Sequence, residues 1–88
     1  MFKKALELNP YNFNVTNNAG TAYFLEGNYE EAINLYLETL RINPYFDDCK
    51  LNLAACYVNT NRKAEANYWL DRVSVNSARL IELRSYAQ

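Results

Sequence analysis

The side chains of this sequence that could do chemistry are carboxylates, serines and cysteines, and they lack the partners that catalysis needs. The chain has no histidine, so Ser74 and the other serines have no imidazole base to activate a hydroxyl nucleophile. Glu30, Glu31 and Glu38 share the polar stripe of one predicted helix, which is typical of a solvated face. With only two glycines there is no phosphate-binding loop. We therefore predict that the chain is not an enzyme and has no cofactor.

The two cysteines, Cys49 and Cys56, do not form a metal or redox motif. They lie seven residues apart on a predicted helix, which separates them by two turns, or roughly 10 Å, and prevents a disulfide between them. Without histidine or a CxxC spacing, we predict no metal site. We expect both thiols to be small core residues.

Composition limits the classes of partner. The 88 residues are 50% apolar and 15% aromatic, which suffices for one small folded domain. A formal charge of −1 leaves no excess of lysine and arginine to displace counterions from nucleic acid, so we predict no nucleic-acid partner. No apolar run reaches the roughly 18 residues that a bilayer requires, so we expect that the segment itself does not span a membrane.

The chain repeats itself with a period of 34 residues. This shift superimposes Leu6 on Leu40, Asn9-Pro10-Tyr11 on Asn43-Pro44-Tyr45, Asn18 on Asn52, Tyr23 on Tyr57 and Glu31-Ala32 on Glu65-Ala66. A period of this length is typical of a solenoid of helical hairpins. We predict an all-α fold, an α-α superhelix of antiparallel hairpins.

Apolar spacing and turn residues predict six helices. They cover 2–9, 13–26, 29–42, 47–60, 62–74 and 77–87. We interpret 1–88 as a single domain, with 2–9 as the second helix of a truncated repeat, 13–46 as a repeat, 47–76 as a divergent repeat and 77–87 as a terminal capping helix. Because 2–9 lacks its hairpin partner, we expect the chain to be a fragment of a larger protein.

Local signals refine these helices. Gly20 in mid-helix predicts a close approach of the facing helix, and Gly27 and Asn61 are suited to left-handed helix ends. Asn28 with Glu31 three residues later predicts a capping box. At the start of the following hairpin, the acidic pair 47–48 is suited to the helix cap.

These residues resemble the tetratricopeptide repeat, a 34-residue helix-turn-helix unit with small residues where the helices cross. The pattern is met by Gly20, Tyr23, Ala32, Tyr36 and Pro44, then by Ala54, Tyr57, Ala66 and Leu70, with Phe2, Ala5 and Pro10 from an earlier repeat. Thr16 and Lys50 replace the family's large residue early in the first helix, and the second unit departs from the pattern at Lys63, Val73 and Ala78.

The resemblance implies a protein-binding scaffold, in which the first helices of successive repeats line a concave groove for a peptide or partner domain. By position, that groove is formed by Asn14, Asn17, Asn18, Thr21, Phe24, Leu25, Asp48, Leu51, Asn52, Ala55, Val58 and Asn59. Asn18 and Asn52 recur one period apart, and each carboxamide can donate to a peptide carbonyl and accept from a peptide amide. Alternatively, these asparagines only solvate the helix face.

Three further interpretations bear on the partner. A clamp for a terminal carboxylate, as in chaperone-binding members of the family, is not favoured, because Asn14 stands where the first lysine would be. The chain can instead be the soluble accessory tail of a larger enzyme, such as a bacterial membrane-bound surface-polysaccharide (O-antigen) ligase. The third interpretation is a homo-oligomer that associates through the unpaired first helix, since such a helix exposes apolar surface.

Overall fold

The structure, a computed structural model, describes residues 12–74 and 76–88. Within these ranges the chain forms five helices and no strand: α1 (Phe13–Leu25), α2 (Tyr29–Ile42), α3 (Asp47–Asn59), α4 (Lys63–Leu70) and α5 (Ala78–Tyr86). The all-α prediction is confirmed. The predicted helix at 2–9, and with it the surface proposed for self-association, lies outside the described residues. The assignment of 13–46 and 47–76 as separate repeats stays a prediction.

The helices stack as a curved row of hairpins. Helix α1 packs against α2, α3 packs against α4, and α2 packs against α3, which joins one hairpin to the next. The helices α1, α3 and α5 contact one another in succession, whereas α2 and α4, both fully described, do not pack together. Because the row is closer on one side than on the other, it curves with α1, α3 and α5 on its inner side. The predicted superhelix is confirmed.

The core lies between the two hairpins and extends to α5. Tyr36, Leu53 and Leu70 are the largest of its fully buried side chains, each less than 2% exposed. Cys49 and Cys56 are free thiols in the same core, as expected. Burial raises the pKa of each thiol to about 12, so both stay protonated and unreactive at neutral pH.

Gly20 marks the closest approach between α1 and α2, as predicted. A Cβ atom at this position would lie 2.8 Å from Cε1 of Tyr36 and 2.9 Å from Cδ1. The Tyr36 ring is 1% exposed, and its hydroxyl is 2.8 Å from Oγ1 of Thr21. The second hairpin carries Ala54 and Leu70 at the equivalent positions, both fully buried. In the second hairpin the first helix therefore has an alanine methyl group where the first hairpin has glycine, and the residue that faces it is leucine, which is smaller than tyrosine.

The predictions for the helix ends are confirmed in part. Gly27 and Asn61 adopt φ angles of 80° and 65°, which confirms both left-handed ends. The capping box at Asn28 is wrong: this residue precedes α2, but its side chain makes no capping hydrogen bond, and Glu31 is exposed to solvent. A side-chain cap occurs instead at Asn12, whose Oδ1 accepts from the first amides of α1 at 3.0 and 3.3 Å.

Helix α4 is shorter than predicted, and contacts from the start of α3 explain why. Nζ of Lys50 donates to the carbonyl of Arg72 at 3.0 Å, and Oδ2 of Asp47 accepts from both the amide and the hydroxyl of Ser74, at 3.2 and 2.6 Å. These side chains occupy backbone groups that would otherwise continue the helix beyond Leu70. The same contacts show that the carboxylate of Asp47 does not cap α3, whose N-terminal flanking residue is Phe46.

Candidate functional site

Of the three helices on the inner side of the superhelix, α1 and α3 carry the predicted groove residues, and we call their surface the inner face. On α1, Asn14, Asn17, Asn18 and Thr21 recur at spacings of three and four, which places them on one helix face. Asn14 and Asn18 are exposed, and Asn17 is half-buried. The resemblance therefore assigns to this face a row of carboxamides that solvent or a ligand can reach.

One hydrogen bond links the two inner helices through their asparagines. Nδ2 of Asn52 on α3 donates to Oδ1 of Asn17 on α1 at 3.4 Å. A carboxamide has two donor protons and an acceptor oxygen, so Asn52 keeps one proton and its oxygen for another partner. The structure thus joins Asn52 to Asn17 and leaves Asn18, the residue one period before Asn52, exposed beside them.

Other residues of the predicted inner face are wholly or partly buried, or already hydrogen-bonded, and so offer little to a ligand. Leu51 and Ala55 are each 5% exposed and belong to the core cluster that α5 completes. Val58 is half-buried and packs against that cluster. The hydroxyl of Thr21 is engaged by the Asn17 carbonyl at 3.1 Å as well as by Tyr36.

The residues at the helix ends of the inner face range from apolar to charged. At the end of α1, Leu25 is 79% exposed, and the neighbouring Phe24 ring is half-buried and meets the Tyr29 ring edge-on at 5.5 Å. At the end of α3, Nδ2 of Asn59 donates to its own helix, to the Ala55 carbonyl at 2.8 Å. The exposed carboxylate of Asp48 lies at the opposite end, at the start of α3.

This arrangement can bind by hydrogen bonds and one apolar contact but has little charge. Asp48 is the single charged side chain among the twelve predicted positions. Within residues 12–74 and 76–88, no three histidine, cysteine or acidic side chains come together in a way that could hold a metal ion. The inner face is therefore suited to the uncharged backbone of an extended peptide.

A second concavity, which the sequence did not predict, lies at the edge of the stack. This edge cleft has a volume of about 520 Å³ and lies between the turn that joins α2 to α3 and the end of α4. Its principal lining side chains are Tyr45, Asp47, Lys50, Tyr68, Trp69 and Arg72. The only sequence signal was Lys50, which departs from the family pattern, and the clustering of tyrosine, tryptophan and arginine depends on the fold.

The fold and the inner face define a class of protein: a helical-repeat solenoid that presents a preformed surface. Tetratricopeptide repeat models match residues 23–77 and residues 1–34. The chain belongs to the tetratricopeptide repeat family.

The chain is also similar to part of much longer proteins. It is 35% identical over 72 residues to mouse protein O-mannosyl-transferase TMTC3, and 33% identical over 66 residues to the human protein of the same name. These matches cover 80% and 75% of this chain but 8% and 7% of the relatives. Each helix of the described ranges is too short or too polar to cross a bilayer.

Proposed function

We propose that the chain is a non-catalytic interaction module that holds an extended segment of a protein partner across the inner face. The observation that carries the proposal is the hydrogen bond between Asn17 and Asn52, which connects the first helices of two successive hairpins. Binding proteins through such surfaces is the usual role of the family to which the chain belongs.

In this proposal the asparagines bind the peptide backbone. The Asn18 carboxamide makes no hydrogen bond to the described residues, and Asn52 offers the oxygen and the proton that Asn17 does not use. Because Asn52 is already held by Asn17, less rotamer entropy is lost on binding. The exposed Leu25 supplies an apolar anchor at one end.

The test uses peptides selected from a display library against the chain. The Asn18→Ala, Asn52→Ala double variant is expected to weaken binding roughly tenfold or more, since two hydrogen bonds of about 1 kcal/mol are lost. The matched control is Asn34→Ala, an exposed asparagine on the outer helix α2, which should leave affinity unchanged. Thermal melts followed by circular dichroism verify that all variants fold. Unchanged affinity in the double variant would place the binding site elsewhere.

The relatives favour a second candidate, in which the module is an accessory region of a larger enzyme. Both relatives are named as O-mannosyl-transferases and are more than ten times longer than the matched segment. A module of this kind would bind the protein acceptor while another domain carries out the transfer. The full open reading frame discriminates the two candidates: long apolar spans and a transferase domain support the accessory role, and further repeats alone support a scaffold.

A further inference from the structure

The edge cleft is a binding-sized concavity that does not belong to the inner face. Its volume of about 520 Å³ lies within the range of roughly 300–1,000 Å³ that is usual for ligand pockets. None of the twelve inner-face positions lines it. A ligand in the edge cleft would therefore contact a separate surface of the superhelix.

Aromatic rings form the walls of the edge cleft. Tyr45 is 86% exposed and Tyr68 is 50% exposed, so a ligand can reach both residues. Trp69 is half-buried against the core, and its ring meets that of Tyr68 edge-on with centroids 5.1 Å apart. Tyrosine, tryptophan and arginine are the residue types that dominate the binding energy of protein interfaces.

The charged side chains that line the cleft, one acidic and two basic, have a net positive charge. Lys50 lies at its base with a side chain only 10% exposed, and its ammonium donates to Asp47 at 3.2 Å and to the Arg72 carbonyl at 3.0 Å. The Asp47 carboxylate therefore pairs with the Lys50 charge, and it also accepts twice from Ser74. Among residues 12–74 and 76–88, no partner takes the third ammonium proton.

The guanidinium of Arg72 adds to this charge at the rim. It lies 3.4 Å from the centroid of the Tyr68 ring and donates through Nη1 to the Tyr68 carbonyl at 2.7 Å. These contacts hold the group in place while the residue as a whole stays exposed. A fixed guanidinium beside aromatic rings is complementary to a carboxylate next to an apolar side chain.

We propose that the edge cleft binds an extended proline-containing peptide of a partner protein in which an acidic residue lies beside the prolines. Aromatic-lined grooves select the polyproline II conformation, because that helix is preformed and its rings stack on aromatic faces. The prolines lie between Tyr45 and the Tyr68–Trp69 pair, and the acidic side chain reaches Arg72.

Trp69 makes the proposal directly measurable, since it is the chain's single tryptophan. The probe is a synthetic peptide with one glutamate flanked by two prolines on each side, titrated while the tryptophan emission is recorded. We expect a saturable change in emission and at least fivefold weaker binding when lysine replaces the glutamate. Replacing the four prolines with alanine should weaken binding by a similar factor.

Two variants separate a binding role from a structural one. Tyr45→Ala removes an almost fully exposed ring and is expected to weaken binding at least fivefold with an unchanged thermal melt. Tyr86→Ala, an exposed tyrosine on α5 outside the cleft, should have no effect. Arg72→Gln should abolish the preference for glutamate over lysine.

Several outcomes would overturn the proposal. These are no saturable change of emission up to millimolar peptide, equal affinity for the glutamate and lysine peptides, and equal affinity of the Tyr45→Ala variant. The Asn18→Ala, Asn52→Ala double variant distinguishes the two surfaces. It is expected to leave the response of Trp69 to this probe unchanged, whether or not the inner face binds its own peptide.

Discussion

The two hairpins share a 34-residue spacing, but different chemistry holds each of them together. In the first hairpin, Thr16 is 1% exposed, and its hydroxyl accepts from the Thr39 hydroxyl of the facing helix at 2.6 Å. In the second hairpin, Lys50 occupies the place of Thr16 and forms an ion pair with Asp47 at 3.2 Å.

The difference shows that one position in a repeat can be filled in two ways, provided that the buried polar groups find partners. In the neutral solution the two hydroxyls otherwise contact only carbonyls three or four residues earlier in their own segments, which leaves the helical hydrogen bonds in place, and α2 runs for 14 residues. The ionic solution occupies the backbone groups of Arg72 and Ser74, and α4 runs for only 8 residues. We therefore expect the second hairpin, and not the first, to respond to the loss of a charge or to acid.

The largest expected change in stability follows from removing the carboxylate of the ion pair between Asp47 and Lys50. Asp47→Ala leaves Lys50 without its counter-ion and should lower the free energy of unfolding by about 2–3 kcal/mol, below the cost for a fully buried pair because both side chains keep some exposure. The matched control is Asp48→Ala, an exposed neighbour that should change stability by less than about 0.5 kcal/mol. Urea denaturation measures both values. Equal effects of the two variants would contradict an ionic closure of the second hairpin.

The second prediction converts the packing of the first hairpin into that of the second. Gly20→Ala should destabilise the protein by about 1–2 kcal/mol, because the new methyl group overlaps the Tyr36 ring. In a Tyr36→Leu background, the same substitution should be neutral or stabilising by up to about 1 kcal/mol, since alanine favours the helix over glycine. That background reproduces the Ala54 and Leu70 pair. The sign change is read from a double-mutant cycle of thermal melts, and a destabilisation of the same size in both backgrounds would disprove the contact.

Acid is expected to weaken the second hairpin selectively. The Ser74 hydroxyl, together with the Ser74 amide and Lys50, holds the pKa of Asp47 below its usual range. A carboxyl whose pKa is lower in the folded state stabilises the protein above its unfolded pKa, near 4, and this stabilisation is lost as pH falls through the folded pKa. Asp47→Asn should therefore flatten the decrease in stability at acid pH, followed through Trp69 fluorescence in urea.

Glu38 provides the control for that titration. Its pKa is also lowered, through its hydrogen bonds with Arg41, but its side chain is 39% exposed on α2. Solvent screens such a pair, so Glu38→Gln should change the acid dependence much less than Asp47→Asn. A larger effect at Glu38 would assign the acid sensitivity to the first hairpin.

The smallest predicted effect concerns the ion pair that joins the hairpins. Arg62 donates to Glu30 at 2.6 Å, and the two side chains are 38% and 63% exposed. Glu30→Gln should cost about 0–1 kcal/mol at low salt, and that cost should vanish at high salt through screening. A cost that persists at high salt would contradict the assignment of this contact as a solvent-screened ion pair.

The fold was predictable because the repeat period and the apolar spacing are local properties of the sequence. Four helices, α1, α2, α3 and α5, end within one residue of their predicted limits. The early end of α4 was not predictable, because the contacts responsible join residues 22 and 27 positions apart. The cap at Asn12 was a missed local signal, since asparagine before an amphipathic run is a usual helix start.

The sequence predicts the inner face as a set of positions, and their role in binding stays a prediction; how their side chains connect was not predictable. The bond between Asn17 and Asn52 spans 35 residues and depends on how α1 lies against α3. Leu51 and Ala55 belong to the same buried cluster as Leu80 and Leu83 of α5, and the packing of α5 against α3 is not described by the repeat period. Contacts between repeats therefore decide which of the assigned side chains stay accessible.

The most direct test of the proposed function is a map of chemical-shift changes when a library-selected peptide is added to the chain. We predict that the largest changes occur at the side-chain carboxamides of Asn18 and Asn52 and at the backbone amides of α1 and α3. Changes confined to the outer helices α2 and α4 would contradict the proposal that the inner face binds the partner.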